Sequence, residues 1–325
     1  MTRLERVIKG RGTVSLFLLP LLLAGVAAGR YLLLGGSVQC DDGGVIAMAM
    51  ADHGNDFPAF FVGGLALLML VSYLLFFIAD RYKILSRATV LPAVAYALLS
   101  VGIYCRHGAS SYVVAAAVVA LAVARLHHAI LRVKGNAAIF DFGLLTALAV
   151  LLCPKLALLA AWAVVVLPLS GRGTLKDMSA FFLGFVVTGG LVFAYFFLTD
   201  RAGEFPARFA DAMLAGEWLD YRLSPARWCA AGMLLLLTIV ALARVLGYSS
   251  SAVVARRRGL MAMVLLAIFL GSGLFLVPLE CPGFFLVLFV PISFLYAQYF
   301  ISFQGRWLGN TLFLLFLASC LLAIL

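Results

Sequence analysis

The chain has 325 residues, 65% of them hydrophobic and only 12% charged, with a formal net charge of +10. A soluble domain of this size needs far more surface charge. Without a soluble basic face there is also nothing on which to build nucleic-acid recognition. The apolar residues come in long runs separated by short basic clusters. A bilayer core takes roughly 20 helical residues to cross, and its backbone polar groups have to be satisfied within each segment. The pattern predicts an all-α polytopic transmembrane bundle.

In chain order, the first predicted span is 14–35. The basic segment before it and the small residues at its end, MTRLERVIKGRGTVSLFLLPLLLAGVAAG, also fit a signal peptide. About ten more spans follow, so it reads as an uncleaved first span. Further spans are predicted at 58–79, 88–104, 110–126, 138–153, 156–169, 178–199, 227–246, 259–279, 283–302 and 308–325, eleven in all. The fifth and sixth are short and meet at Cys153-Pro154-Lys155. Read as one re-entrant hairpin over 138–169, they leave nine spans and the same parity.

Between spans seven and eight runs TDRAGEFPARFADAMLAGEWLDYRLSPAR, residues 199–227. Phe205, Phe209 and Met213 recur four apart, and Leu214 and Trp218 continue the stripe. Arg208, Asp211, Glu217 and Asp220 fall on other faces. This spacing predicts an amphipathic helix over about 205–220 on the membrane surface or capping the bundle. The whole chain, 1–325, reads as one integral membrane domain. Gly10-Arg11-Gly12-Thr13 before span one and Gly171-Arg172-Gly173-Thr174 before span seven suggest a weak parallel repeat, 1–165 and 166–325.

Basic residues mark the cytoplasmic side of membrane proteins. Arg3, Arg6, Lys9, Arg11, Arg81, Lys83, Arg87, Arg125, Arg132, Lys134, Arg172, Lys176, Arg244, Arg256, Arg257, Arg258 and Arg306 all fall on one side of this threading. Arg30, Arg106, Lys155, Arg201, Arg208, Arg222 and Arg227 fall on the other, with most of the acids. The N-terminus is therefore expected in the cytoplasm and the C-terminus outside.

The first outer loop, SVQCDDGGVIAMAMADHGNDF (37–57), carries Asp41, Asp42, Asp52 and Asp56 and no Lys or Arg. Exclusion of cations from that side accounts for part of its acidity. All six cysteines, Cys40, Cys105, Cys153, Cys229, Cys281 and Cys320, fall at outer ends or in outer loops. In an oxidising compartment they are candidates for disulfides, with 15 complete pairings open. No metal site is expected, because no second pair at zinc spacing accompanies Cys105 and His107. His53 and His107 face one side and His127 and His128 the other, which excludes a clustered-histidine iron centre.

Ionisable groups inside spans are Arg30, Asp141 and Arg244, all close enough to an interface to reach headgroups. The deep polar cluster is Gln298 with Tyr296 and Tyr299, which a helix–helix hydrogen bond explains. No chain of charges runs through the spans, which argues against a proton pump or ion channel. A groove for a lipid or small solute stays open.

Cys40-Asp41-Asp42, just after span one, resembles in position the acidic residue of C-type glycosyltransferases that use polyprenyl-phosphate sugars. That resemblance implies Asp41 or Asp42 as general base or as holder of a divalent cation against the donor phosphate. Arg30, Arg201 or Arg208 would contact that phosphate. This loop is shorter than those enzymes usually have. No cofactor is otherwise evident. RYKILSRATVLPAVAYALLS (81–100), NAAIFDFGLLTALAVLLCPKLALL (136–159) and LPLSGRGTLKDMSAFFLGFV (167–186) are similar to a family of multi-pass inner-membrane proteins of Bacteroidota with no assigned activity. That similarity implies a Gram-negative inner membrane and no catalytic residue. The expectation is a component of envelope assembly or export that meets the lipid bilayer, polyprenyl-linked lipid or other envelope membrane proteins, and no nucleic acid. The alternatives are the glycosyltransferase, or a related envelope-glycan enzyme, and a lipid or small-solute transporter.

Overall fold

The structure is a computed structural model that describes residue 25 and residues 57–107, 111–131, 135–214, 225–249, 253–278, 282–302 and 306–324. The predicted first span and the acidic loop lie outside the described residues. Eleven α-helices follow one another: α1 (Phe57–Arg81), α2 (Leu91–His107), α3 (Ser111–Leu131), α4 (Asn136–Leu152), α5 (Leu158–Leu169), α6 (Leu175–Leu198), α7 (Glu204–Leu214), α8 (Pro225–Ser249), α9 (Val254–Leu276), α10 (Phe284–Ser302) and α11 (Arg306–Ile324). No strand occurs among the described residues.

Each predicted span from the second to the eleventh coincides with a helix, and the amphipathic stripe coincides with α7 as far as Leu214; Trp218 and the rest of the predicted 205–220 helix lie outside the described residues. Among the described residues, six helices are long and apolar enough to cross a membrane, and four shorter apolar stretches lie in α2, α4, α5 and α11. Helix α9 begins five residues earlier than predicted and takes in Arg256, Arg257 and Arg258. Hydropathy ends a span at a charge, but arginine is a good helix former.

α10 is the central element. Every residue from Pro291 to Phe300 is buried, and the helix packs against α2, α3, α8 and α9. Its Tyr296 hydroxyl donates to the Leu234 carbonyl of α8 at 2.9 Å and lies 2.7 Å from Thr238 Oγ1. We expect Tyr296→Phe to destabilise the protein by about 0.5–1.5 kcal/mol, the range of interhelical hydrogen bonds in membranes. Thermal unfolding of the purified chain checks this.

α6 packs chiefly on α4, and its other faces are apolar and exposed. The two backbones meet at glycine. A Cβ on Gly143 would run into the Phe181 carbonyl oxygen, and one on Gly184 into the Phe140 carbonyl oxygen. Thr188 Oγ1 donates across the crossing to the Leu144 carbonyl at 3.3 Å. Small residues permit such an approach where lipid supplies no hydrophobic drive.

The position of the α4–α5 hairpin turn follows from its neighbours. Contacts between α4 and α6 join residues 38 to 44 apart, Gly143 to Phe181 and Leu144 to Thr188. The turn at Pro154–Leu156 packs against α7, which follows the end of the 24-residue α6, so it stands toward that end of α6 and not halfway along it. At 1.5 Å per residue, the 17 residues of α4 rise about 25 Å.

Candidate functional site

Polar groups collect at the two ends of the bundle. At one end is the hairpin turn. Cys153 is extended (φ −136°, ψ 97°) and Pro154 opens a short 3-10 turn, Pro154–Leu156, before α5 resumes the helix. Proline lacks the N–H that would continue α4. The sequence thus puts a lysine at the tip of an apolar hairpin, and the fold buries it: Lys155 is 2% exposed.

Helix α7 lies against this turn. It is anchored by Phe205, whose ring packs on Phe193 and Phe196 of α6 at 6.2 and 5.5 Å. The turn into α7 is tight, with Asp200 at φ 54° and the Arg201 N–H donating to the Phe196 carbonyl at 2.8 Å. Arg208, on α7, is half-buried, and Arg201 is exposed. One end of the bundle thus holds Lys155, Arg201 and Arg208 around a short surface helix, with Asp200 and Asp211 exposed beside them.

The opposite end is where the other basic turns converge. Arg172 Nε donates to the Ala129 carbonyl near the end of α3 at 3.0 Å. This satisfies one of the carbonyls every helix leaves unpaired at its C-terminus and complements the dipole there. Arg256 Nε reaches the Lys83 carbonyl at 3.4 Å. The Arg258 guanidinium lies against Gly171, in the α5–α6 turn. That turn leads into a capped helix: Thr174 Oγ1 accepts from the Asp177 N–H at 3.2 Å and donates to its carboxylate at 2.9 Å.

The α1–α2 segment folds inward at the same end. Ile84, Leu85, Thr89 and Val90 are buried. Irregular backbone inside a bundle needs partners, and Gln298 Oε1 supplies one by accepting from the Ser86 N–H at 3.1 Å. Gln298 Nε2 is enclosed without a hydrogen-bond partner. His127 is buried with its ring nitrogens 2.7 Å from the Val123 carbonyl and 3.3 Å from the Gly259 carbonyl, joining α3 to α9.

The sequence-derived candidates divide as follows. Asp41, Asp42, Arg30, Cys40 and Cys281 lie outside the described residues, and so does the Cys105 side chain. Arg201 and Arg208 stand together at the α7 end. Cys153 and Cys320 are buried, Cys229 is exposed, and all three are thiols. Asp141 of α4 lies 3.5 Å from Arg125 Nε of α3, both side chains about half exposed (42% and 54%). Such a pair contributes little. Arg244 is exposed. Among the described residues, no group of three or more His, Cys, Asp or Glu could hold a metal ion.

The burial of Lys155 was not foreseen. Its signal was a Pro-Lys pair between two apolar runs too short to be ordinary spans.

These apolar helices, packed through glycine contacts and exposing broad apolar faces, define a multi-pass helical integral membrane protein. No family model matches the chain, and comparison with curated proteins and with solved structures finds no significant match.

Proposed function

We propose that the chain is a bacterial inner-membrane protein with its N-terminus in the cytoplasm, and that it serves envelope assembly or export. Its working end is the outer one, where it engages a phosphate-bearing, polyprenyl-linked lipid. The observation that carries this reading is Lys155. An ionisable side chain enclosed in a membrane bundle is a candidate for function even where, as here, it is partnered in the fold. It stands at headgroup depth, under a surface helix bearing Arg208 and with Arg201 close in sequence. A lipid phosphate entering there meets several cations at once.

Two versions differ in whether the chain also does chemistry. In the first, it is a non-catalytic component that presents or passes the lipid to partner proteins. In the second, Asp41 or Asp42 in the first outer loop acts as general base or holds a divalent cation against the donor phosphate, and the chain is a glycosyltransferase or a related envelope-glycan enzyme. Complementation of a strain lacking the protein tests both, with surface glycan and membrane protein level read together. Lys155→Met at normal protein level is expected to lose the envelope phenotype; full function would remove the basis of the proposal. The double variant Asp41→Asn, Asp42→Asn separates the versions. Loss of a glycan at normal protein level assigns the enzyme, and full function assigns the non-catalytic component.

A further inference from the structure

We propose that the basic end of the bundle carries a fixed site for an anionic phospholipid of the adjacent leaflet, built by Arg257 and Arg258 of α9 and Lys176 of α6 around the turn at Gly171.

The argument starts from a local rule that the sequence breaks. Val254 opens α9, and Arg256, Arg257 and Arg258 follow within its first five residues. Cations there oppose the helix dipole and repel one another. Marking a cytoplasmic end requires only that they lie near it, and the loop before α9 would serve. Their position inside the helix calls for a compensating anion.

Two of the three are held in place. Arg256 is bonded to the Lys83 carbonyl. Arg258 lies across Gly171, where a Cβ would stand 2.8 Å from Nη1 and 2.9 Å from Cζ. Gly171 has φ +79°, a conformation glycine adopts without penalty. The same glycine therefore makes the turn and leaves room for the guanidinium. On the next residue of that turn, Arg172 is fixed by the Ala129 carbonyl. Arg257, Arg258 and Lys176 are all exposed; Arg257 adjoins Arg258 in the chain and Lys176 follows Gly171 by five residues. Of the carboxylates at this end, Asp141 faces Arg125, Asp177 is turned to Thr174, and Asp80, in the last turn of α1 near Lys83, has a partner as well.

The surroundings favour a lipid over a soluble phosphate. Val254, one helical turn from Arg258 and on the same face, is 62% exposed. Leu169 and Leu175, flanking the Gly171 turn, are 62% and 91% exposed. Guanidinium and ammonium groups bordered by open aliphatic side chains fit a molecule with a phosphate head and acyl chains.

The test is native mass spectrometry of the full chain released from nanodiscs of phosphatidylglycerol with cardiolipin, or of phosphatidylcholine. Anionic lipid adducts are expected to survive activation that strips phosphatidylcholine. The double variant Arg257→Gln, Lys176→Gln removes only exposed charge and leaves the packed Arg258 in place, so folding is preserved. It is expected to lower adduct retention about tenfold, while Arg87→Gln, an exposed cation in the α1–α2 segment, leaves it unchanged. Equal retention of phosphatidylcholine would overturn the proposal. So would an unchanged double variant, or an Arg87→Gln effect of the same size, which would mean a diffuse basic belt. Displacement by millimolar inorganic phosphate would reassign the site to a soluble anion and equally sink the lipid.

Discussion

Gly184→Val is expected to cost the protein about 2–3 kcal/mol, the upper range for overpacking a filled contact, and to lower its melting midpoint by roughly 5–10 °C. The reason is geometric. The new Cβ would collide with the Phe140 carbonyl oxygen, which is backbone and cannot rotate away. To admit it, α4 and α6 must separate, and the Thr188 bond to Leu144 at 3.3 Å is lost with them. Gly143→Val should do the same through the Phe181 carbonyl. Helix α6 carries its own controls. A Cβ on Gly189 or Gly190 meets nothing within 4 Å, so Gly189→Val and Gly190→Val should melt within about a degree or two of the parent. Equal losses at all four glycines would show that helix propensity, not the crossing, sets the effect.

These glycines mark the boundary of what was legible. Hydropathy placed ten helices within a few residues, because each long apolar run has to satisfy its own backbone. The stripe of Phe205, Phe209 and Met213 placed α7, because its period of four is a property of neighbouring residues alone. Which helix packs on which was not legible. Gly143 and Gly184 are 41 positions apart and look no different in sequence from Gly189 or Gly190; only the crossing distinguishes them. The basic clusters grouped the turns at one end, yet they did not reveal that Arg172 and Arg256 are bonded to carbonyls of neighbouring segments and that Arg258 lies against Gly171. A positive-inside count weighs charges and carries no geometry. The opening of α9 was misplaced for the same reason: the charges that ended the hydropathy run are inside the helix.

The sequence offers Arg201 and Arg208 as phosphate contacts, and the structure shows where they stand: at the end of the bundle where α7 lies against the turn that buries Lys155. In sequence that turn is only the junction of two short spans. The packing of α4 on α6, and of α7 on the turn that holds Lys155, depends on contacts between residues some 38 to 50 or more positions apart. No local window contains them.

Lys155 then gives the second large effect. Purified chain in nanodiscs is expected to bind a polyprenyl phosphate, and Lys155→Met to weaken that binding at least tenfold, about 1.4 kcal/mol or more. A phosphate desolvated against a buried ammonium gains far more from it than from an exposed one, because the surrounding dielectric is low. Lys155 is also partnered within the bundle, and removing one member of a buried polar contact is destabilising, so Lys155→Met is read for affinity at a temperature well below its own melting midpoint. Lys155→Arg keeps the charge but carries it on a wider planar head in a buried position, so it should recover binding only in part. If Lys155 were simply part of the packing, Lys155→Met would change the melting midpoint and leave affinity alone. If it holds phosphate, affinity falls in protein that is still fully folded, whatever the change in midpoint. Arg201→Gln supplies the graded comparison. Its side chain is exposed, and exposed charges interact weakly through water. Its loss should reduce affinity only a few-fold and respond strongly to salt, whereas the contribution of Lys155 should persist as salt is raised.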